Sequence, residues 1–353
     1  MIRIGVLCPS DIAFRRFLPS LKKATGFQYV GVAVASPEEW FCDDLSVVDQ
    51  RTIDNTLSSE IEKANRFVNN YSGKIFWGYE TLIHSSEVDA IYIPLPPALH
   101  FKWAKEALLN GKHVLLEKPF TINLKETKLL LEIANKRDLA VHEDYMFVFH
   151  SQMEAISNII NSGEIGDVRL YRISFGYPRR DNNDFRYKKS MGGGALLDAG
   201  GYTIKIASML LGPKCKMVAA TANYMTDFDV DIYGSATMIN EDGVVAQLAF
   251  GMDNDYKCDL EIWCSKGTLT ATRVFTAPAD FLPSCIIKKN QALETRELPG
   301  DDAFLKSILC FEKSVKDKHV RCENYQLIEQ QAFFVQEFKR VSETECMIFF
   351  ENG

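Results

Sequence analysis

The chain has 353 residues, 46% of them hydrophobic and 25% charged, with a net charge of -7. That length exceeds one ordinary core and suggests two domains, and the composition is that of a globular rather than a disordered chain. The acidic balance offers no basic surface to nucleic acid, and no apolar run approaches the roughly 18 residues of a membrane span.

Residues Ile2 to Leu7 are β-branched and apolar, as a buried parallel strand requires. They are too short for a signal peptide. A polar turn follows, then a helical stretch from Ile12 to Lys23 and a second strand from Tyr29 to Ala35, which together make an opening β-α-β unit. Residues 37–59 are polar and acidic and read as a surface insertion. Glu60 to Asn70 is helical. Strands at Ala90 to Pro94 and His113 to Leu116 bracket a helix from Leu99 to Asn110. Strands alternating with helices predict a parallel α/β sheet.

Beyond about residue 122 the pattern changes. Helices are expected at Leu124 to Lys136 and Met153 to Ser162. Longer strands follow at Val168 to Phe175, Lys216 to Tyr224, Tyr233 to Ile239, Val244 to Gly251, Cys258 to Cys264 and Gly267 to Thr272. Glu241-Asp242-Gly243 supplies a hairpin turn. A helix from about Tyr325 to Ser342 closes the chain. The fold class is therefore an α/β Rossmann domain over residues 1–122, then an α+β domain over 123–353 with a large, mostly antiparallel open sheet. One face of that sheet needs a cover, and a partner subunit in a homodimer or homotetramer would provide it.

The nine cysteines, Cys8, Cys42, Cys215, Cys258, Cys264, Cys285, Cys310, Cys322 and Cys346, form no Cys-x-x-Cys pair. No metal site or redox motif is indicated, and reduced thiols in a cytoplasm are expected.

A dinucleotide-binding turn wants Gly-x-Gly-x-x-Gly after the first strand. Here Cys8-Pro9-Ser10-Asp11-Ile12-Ala13 stands in that place, with only Ala13 meeting the pattern. An ordinary strand-to-helix turn fits those residues as well, and the surrounding elements favour the dinucleotide. At the end of the second strand Ser36 neither repels a 2′-phosphate nor lacks a hydrogen bond for it, so NADP is favoured and NAD admitted, with Glu38 close by and no arginine adjacent.

Glu117-Lys118-Pro119 ends a strand at the carboxyl edge, where open α/β sheets bind ligands. From there the Lys118 ammonium can bond a substrate oxygen and stabilise negative charge. A surface lysine before a proline turn is the plain alternative. The run Gly192 to Tyr202 opens on three glycines and leads into a helix ending at Gly212-Pro213. Asp198 and Tyr202 lie four apart, on one helical face. A carboxylate, a phenol and a lysine make a proton-transfer group. Asp198 as a backbone cap and Tyr202 as core remain open. Gly200 and Gly201 cost helix stability, so close approach of a ligand is expected there.

The chain strongly resembles the Gfo/Idh/MocA oxidoreductases along nearly its whole length. The motifs are Glu117-Lys118-Pro119, Leu95-Pro96-Pro97-Ala98-Leu99-His100, Glu143-Asp144-Tyr145-Met146, His150-Ser151-Gln152, Ser162-Gly163-Glu164-Ile165-Gly166 and Gly192 to Tyr202. Among them the nucleotide-sugar 3-ketoreductases are most similar, in Asp11 to Pro19, Asp184-Phe185-Arg186-Tyr187, Gln247 to Met252 and Arg273 to Pro278.

The resemblance implies catalysis by Lys118, Tyr202 and Asp198, and a cis bond before Pro119. It implies cofactor contacts from Cys8, Pro9, Ser10, Asp11, Ile12, Ser36, Leu95, Pro96, His100, Glu117, Lys118, Glu143 and Arg186. Substrate would meet Tyr145, His150, Arg186 and Tyr187, with Arg179, Arg180, Lys188 and Lys189 as further cations for a diphosphate. The implied reaction is NADPH-dependent reduction of a nucleoside-diphosphate 3-keto-6-deoxyhexose in unusual-sugar or surface-polysaccharide biosynthesis. An aldose or trans-dihydrodiol dehydrogenase and a non-catalytic nicotinamide sensor are the alternatives. The usual Ser-Arg after the second strand is Ser36-Pro37 here.

Overall fold

The computed structural model describes residues Met1–Phe41 and Val48–Glu351, with side chains as far as Glu343. The chain forms two compact units. The first comprises Met1–Thr121, Lys125–Asp144 and Ser307–Ile328; the second comprises Ile122–Leu124, Tyr145–Lys306 and the chain from Glu329 onward. Two segments beyond residue 122 belong to the first unit: Lys125–Asp144, which carries the sixth strand of its sheet, and Ser307–Ile328, which is helical.

In the first unit the strands are β1 (Ile2–Val6), β2 (Phe27–Val34), β3 (Lys74–Trp77), β4 (Ala90–Ile93), β5 (His113–Leu116) and β6 (Val141–Glu143). They pair in parallel in the order β3-β2-β1-β4-β5-β6. Strand order reverses between β1 and β4, and open sheets of this kind take ligands outside the strand carboxyl ends at that point. The central strands are short apolar runs buried on both faces, as β4 shows at all four positions.

The helical segment after β1 contains a π-helical turn (Ala13–Phe17) and then α1 (Leu18–Leu21). The expected insertion after Pro37 is only partly irregular. It holds α2 (Pro37–Trp40) and the start of the 22-residue α3 (Gln50–Tyr71), with 42–47 outside the described residues. Asp49 starts α3 by accepting the Thr52 N–H at 3.0 Å, a cap concealed by the polar composition. The unit is completed by α4 (Tyr79–His84), α5 (Pro97–Leu109) and α6 (Leu124–Lys136).

The second unit adds α7 (Ser151–Asn161), β7 (Val168–Gly176) and α8 (Gly201–Leu211), then β8 (Lys216–Tyr224), β9 (Asp231–Ile239), β10 (Val245–Gly251), β11 (Lys257–Cys264), β12 (Thr268–Thr272), β13 (Ser284–Lys289) and β14 (Ala292–Glu297). Helices α9 (Ala303–Lys316) and α10 (Lys318–Glu351) close the chain. The sheet order is β14-β13-β12-β11-β7-β10-β9-β8, antiparallel except between β7 and β10. One face packs on α8, a helix whose residues are nearly all buried. The seven described cysteines are free thiols. No helix among the described residues is long and apolar enough to cross a membrane.

Candidate active site

In the first unit, the candidate residues gather at the carboxyl ends of the parallel strands. After β1, Ser10 accepts the Ala13 N–H at 3.2 Å and so caps the helical segment, while its own N–H donates to the Cys8 carbonyl at 2.8 Å. Asp11 pairs with Arg15 on the surface at 3.4 Å, Ile12 is half-buried and Pro9 is buried. Cys8 fills a glycine position; burial pushes its thiol up to about 12, and it shares a hydrogen bond with Tyr79. It is a neutral packing residue rather than a nucleophile.

The segment after β5 is fixed at several points. Tyr92 donates to Glu117 Oε1 at 2.5 Å, and the Phe120 N–H donates to Glu143 Oε1 at 2.8 Å. The Lys118–Pro119 bond is cis, as the resemblance implied. His100, on α5, is fully buried. Its Nδ1 lies 2.8 Å from the Pro119 carbonyl and its Nε2 lies 2.7 Å from the Leu95 carbonyl. Burial, with the Lys118 charge adding to it, pushes His100 down to about 4. The ring is therefore neutral near pH 7 and donates to one carbonyl at a time. Both nitrogens face backbone carbonyls, so His100 packs between the Leu95-Pro96 and Lys118-Pro119 turns, where a cofactor contact is expected. A second buried acid, Asp144, accepts from Ser307 Oγ at 2.6 Å; burial and then Glu117 raise it well above the usual carboxylate range.

In the second unit, the glycine run behaves as the sequence suggests. Gly192 and Gly194 have φ of 74° and 117°, and a Cβ on Gly193 would stand 2.3 Å from the Arg186 carbonyl. Asp231 accepts the Leu196 N–H at 2.6 Å and anchors a π-helical turn (Leu196–Gly200) that leads into α8.

The Tyr202 ring is caged. Tyr145 and Phe175 meet it edge-on, each at 5.1 Å between centroids, and Phe147 and Phe275 lie at 5.7 Å. Truncating one such core ring costs about 3–5 kcal/mol, so this cage is stiff. Tyr145 accepts a long hydrogen bond from Gln331 Nε2 at 3.4 Å, and Gln331 also donates to the Gly201 carbonyl at 2.9 Å. Lys205, 8% exposed and three residues beyond Tyr202, holds its ammonium 5.9 Å from the Tyr145 ring centre.

The two helical glycines have a different cause from the one expected. A Cβ on Gly201 would fall 2.1 Å from Tyr145 Oη, and one on Gly200 would fall 3.0 Å from the Phe250 ring. They make room for core rings rather than for a ligand. Gly201→Ala is accordingly expected to destabilise. The helix-propensity gain is about 1 kcal/mol, overpacking costs about 1–3 kcal/mol, and the Tyr145 ring, 1% exposed, has little room to yield. Thermal unfolding is the check, with a lowered midpoint expected.

Asp198 is held by Tyr177, whose hydroxyl donates to Oδ2, and by Arg186 Nε at 3.0 Å from the same oxygen. Arg186 also donates to Asp184 at 3.1 Å. One guanidinium between two carboxylates leaves a local charge of about -1, a poor start for gripping phosphate. Arg186 thus ties Asp198 to the 184–187 turn, where cofactor and substrate contacts are expected. Tyr187 is buried too, its hydroxyl donating to the Met252 carbonyl at 3.1 Å and accepting from the Arg180 N–H at 2.9 Å. His150 is buried at the start of α7. Its Nδ1 accepts the Gln152 N–H at 3.1 Å, while its Nε2 has no hydrogen-bond partner among the described residues.

Comparison with known proteins agrees with both units. Residues 30–145 match the model of an oxidoreductase family with an NAD-binding Rossmann fold, and residues 153–270 match the GFO/IDH/MocA C-terminal domain. The chain belongs to the Gfo/Idh/MocA oxidoreductases. Among family members, it is 36% identical over 314 residues to a dTDP-3,4-didehydro-2,6-dideoxy-alpha-D-glucose 3-reductase of Actinomadura kijaniata, covering 89% of this chain and 87% of that one. A reductase of the same name from Streptomyces violaceoruber is also 36% identical, over 89% of this chain and 85% of that one. The solved 3-ketoreductase KijD10 of Actinomadura kijaniata, in complex with NADP and TDP-benzene, superposes with a TM-score of 0.86 at 34% identity, covering 96% and 97% of the two chains.

This Gfo/Idh/MocA member therefore carries its candidate residues in two sets. Cys8 to Ile12, Ser36, Leu95, Pro96, His100, Glu117, Lys118 and Glu143 lie in the first unit. Tyr145, His150, Arg186, Tyr187, Asp198 and Tyr202 lie in the second. Tyr177, Lys205 and Gln331 escaped the sequence reading. Each acts through a tertiary contact, and only the buried lysine at helical spacing from Tyr202 left a trace in the sequence.

Proposed function

We propose that the chain reduces the C3 ketone of a nucleoside-diphosphate 3-keto-6-deoxyhexose, in the biosynthesis of unusual sugars or surface polysaccharides. The observation that carries this is the 36% identity to sugar-nucleotide 3-reductases over 89% of the chain. The cofactor is a nicotinamide dinucleotide, NADP as in the solved relative or NAD. The residues present suit it: the strand order has its reversal beside β1, and a capped helical segment follows that strand. Bound nicotinamide supplies the hydride. Tyr202 would give its phenolic proton to the alkoxide that results, and Lys118 would supply positive charge that stabilises developing negative charge on the substrate. Asp198, with Arg186 and Tyr177, holds the turn from which Tyr202 projects.

The test is loss of nicotinamide absorbance with a panel of nucleotide-linked 3-keto-sugars, with free aldoses as the contrast. Consumption with the nucleotide-linked ketones alone is expected; turnover of free aldoses alone would overturn the substrate assignment. The exposed sheet face, which carries Tyr233, Trp263 and Ile286, supports assembly as a homodimer or homotetramer. Light scattering of the purified protein would show a monomer if that is wrong.

A further inference from the structure

Of the two cofactor forms, the residues after β2 discriminate. Resting on the dinucleotide assignment of the first unit, we infer that Glu38 and Glu39 beside Ser36 make this chain bind NADH in preference to NADPH. In sheets of this order the end of β2 meets the adenosine ribose, and a residue there reads the 2′ position. Here β2 ends at Val34, and Ser36 is the second residue beyond it.

The Ser36 hydroxyl is already shared between acids. Its oxygen accepts the Glu39 N–H at 3.3 Å. It also hydrogen-bonds the Glu38 carboxylate, which Glu38's own amide and then that bond hold below the usual carboxylate range. Glu39 turns its carboxylate onto three backbone amides, those of Ser36 at 2.7 Å, Tyr79 at 2.8 Å and Glu80 at 3.0 Å. Amides at the start of α2 and α4 that would otherwise suit an anion are thus filled by the protein's own acid.

No counter-charge comes from the local chain. Between Lys23 and Arg51 the sequence has no lysine or arginine, while it has Glu38, Glu39, Asp43, Asp44 and Asp49. A 2′-phosphate carries about -1.5 to -2 charge near pH 7 and needs a cation. A ribose 2′-hydroxyl needs only an acceptor, which a carboxylate supplies.

The test is a fluorescence titration of the intact protein with NADH and with NADPH at low and moderate salt. NADH is expected to bind at least tenfold more tightly, with the gap narrowing as salt screens the acids. Glu38 is exposed, and Glu38→Arg is expected to tighten NADPH at least tenfold and to weaken NADH, which loses an acceptor for its 2′-hydroxyl. Equal or tighter binding of NADPH by the native protein would overturn the inference and leave the dinucleotide assignment standing. Binding of neither form would overturn both. An unchanged NADPH affinity in Glu38→Arg would remove Glu38 from the discrimination.

Discussion

Replacing Tyr202 with phenylalanine is expected to cut kcat about 10²- to 10⁴-fold, the usual worth of a positioned proton donor. The fold should not follow. The ring is caged by Tyr145, Phe147, Phe175 and Phe275, and the substitution removes one oxygen while keeping those contacts. The unfolding midpoint should stay within a few degrees and KM should change little, so the loss reads as transition-state stabilisation. Steady-state kinetics beside a thermal melt makes the check. A native rate in a folded Tyr202→Phe protein would remove Tyr202 as the acid.

Lys118→Ala carries the second large effect, about 10²- to 10³-fold in kcat, comparable to deleting one donor from a preorganised oxyanion site. The backbone around Lys118 is held independently of its side chain. His100 ties the Pro119 carbonyl, Glu143 ties the Phe120 amide, and Tyr92 ties Glu117. The variant should therefore fold and still bind cofactor by fluorescence titration. Lys118→Arg should recover little, because a planar guanidinium does not reproduce a compact ammonium. Full recovery with arginine would mean that positive charge alone suffices there.

Much of this architecture is legible in the residues, for reasons that differ by element. The buried parallel strands read clearly because runs such as Ala90–Ile93 are apolar without interruption. In the second sheet β9 reads clearly because its buried and exposed positions alternate. Strand β3 escapes notice: Lys74–Trp77 is four residues long at the sheet edge. The β13–β14 hairpin hides for another reason. Its turn uses Asn290 and Gln291 at φ of 49° and 67° rather than glycine, and β14 is almost wholly exposed, so neither turn chemistry nor hydrophobicity marks it.

For the candidate site, Lys118 and Tyr202 stand out through the motifs that hold them, Glu117-Lys118-Pro119 and the glycine run from Gly192 to Tyr202. The supporting contacts do not. Gly201 looks like a ligand approach until Tyr145 is found against it, and Arg186 looks like a phosphate anchor until Asp184 and Asp198 are found around it. Local sequence specifies residue type; only the fold shows which neighbours satisfy it.

The proposed reaction delivers hydride to the C3 carbonyl of a nucleotide-linked sugar. Its most direct test is to incubate the enzyme with reduced cofactor deuterated at nicotinamide C4, using each face in turn, and a dTDP-3-keto-6-deoxyhexose, then to read the product by mass spectrometry and NMR. One deuterium on sugar C3, from one cofactor face only, is predicted. A product labelled elsewhere, or an unreduced ketone in the presence of bound cofactor, would contradict it.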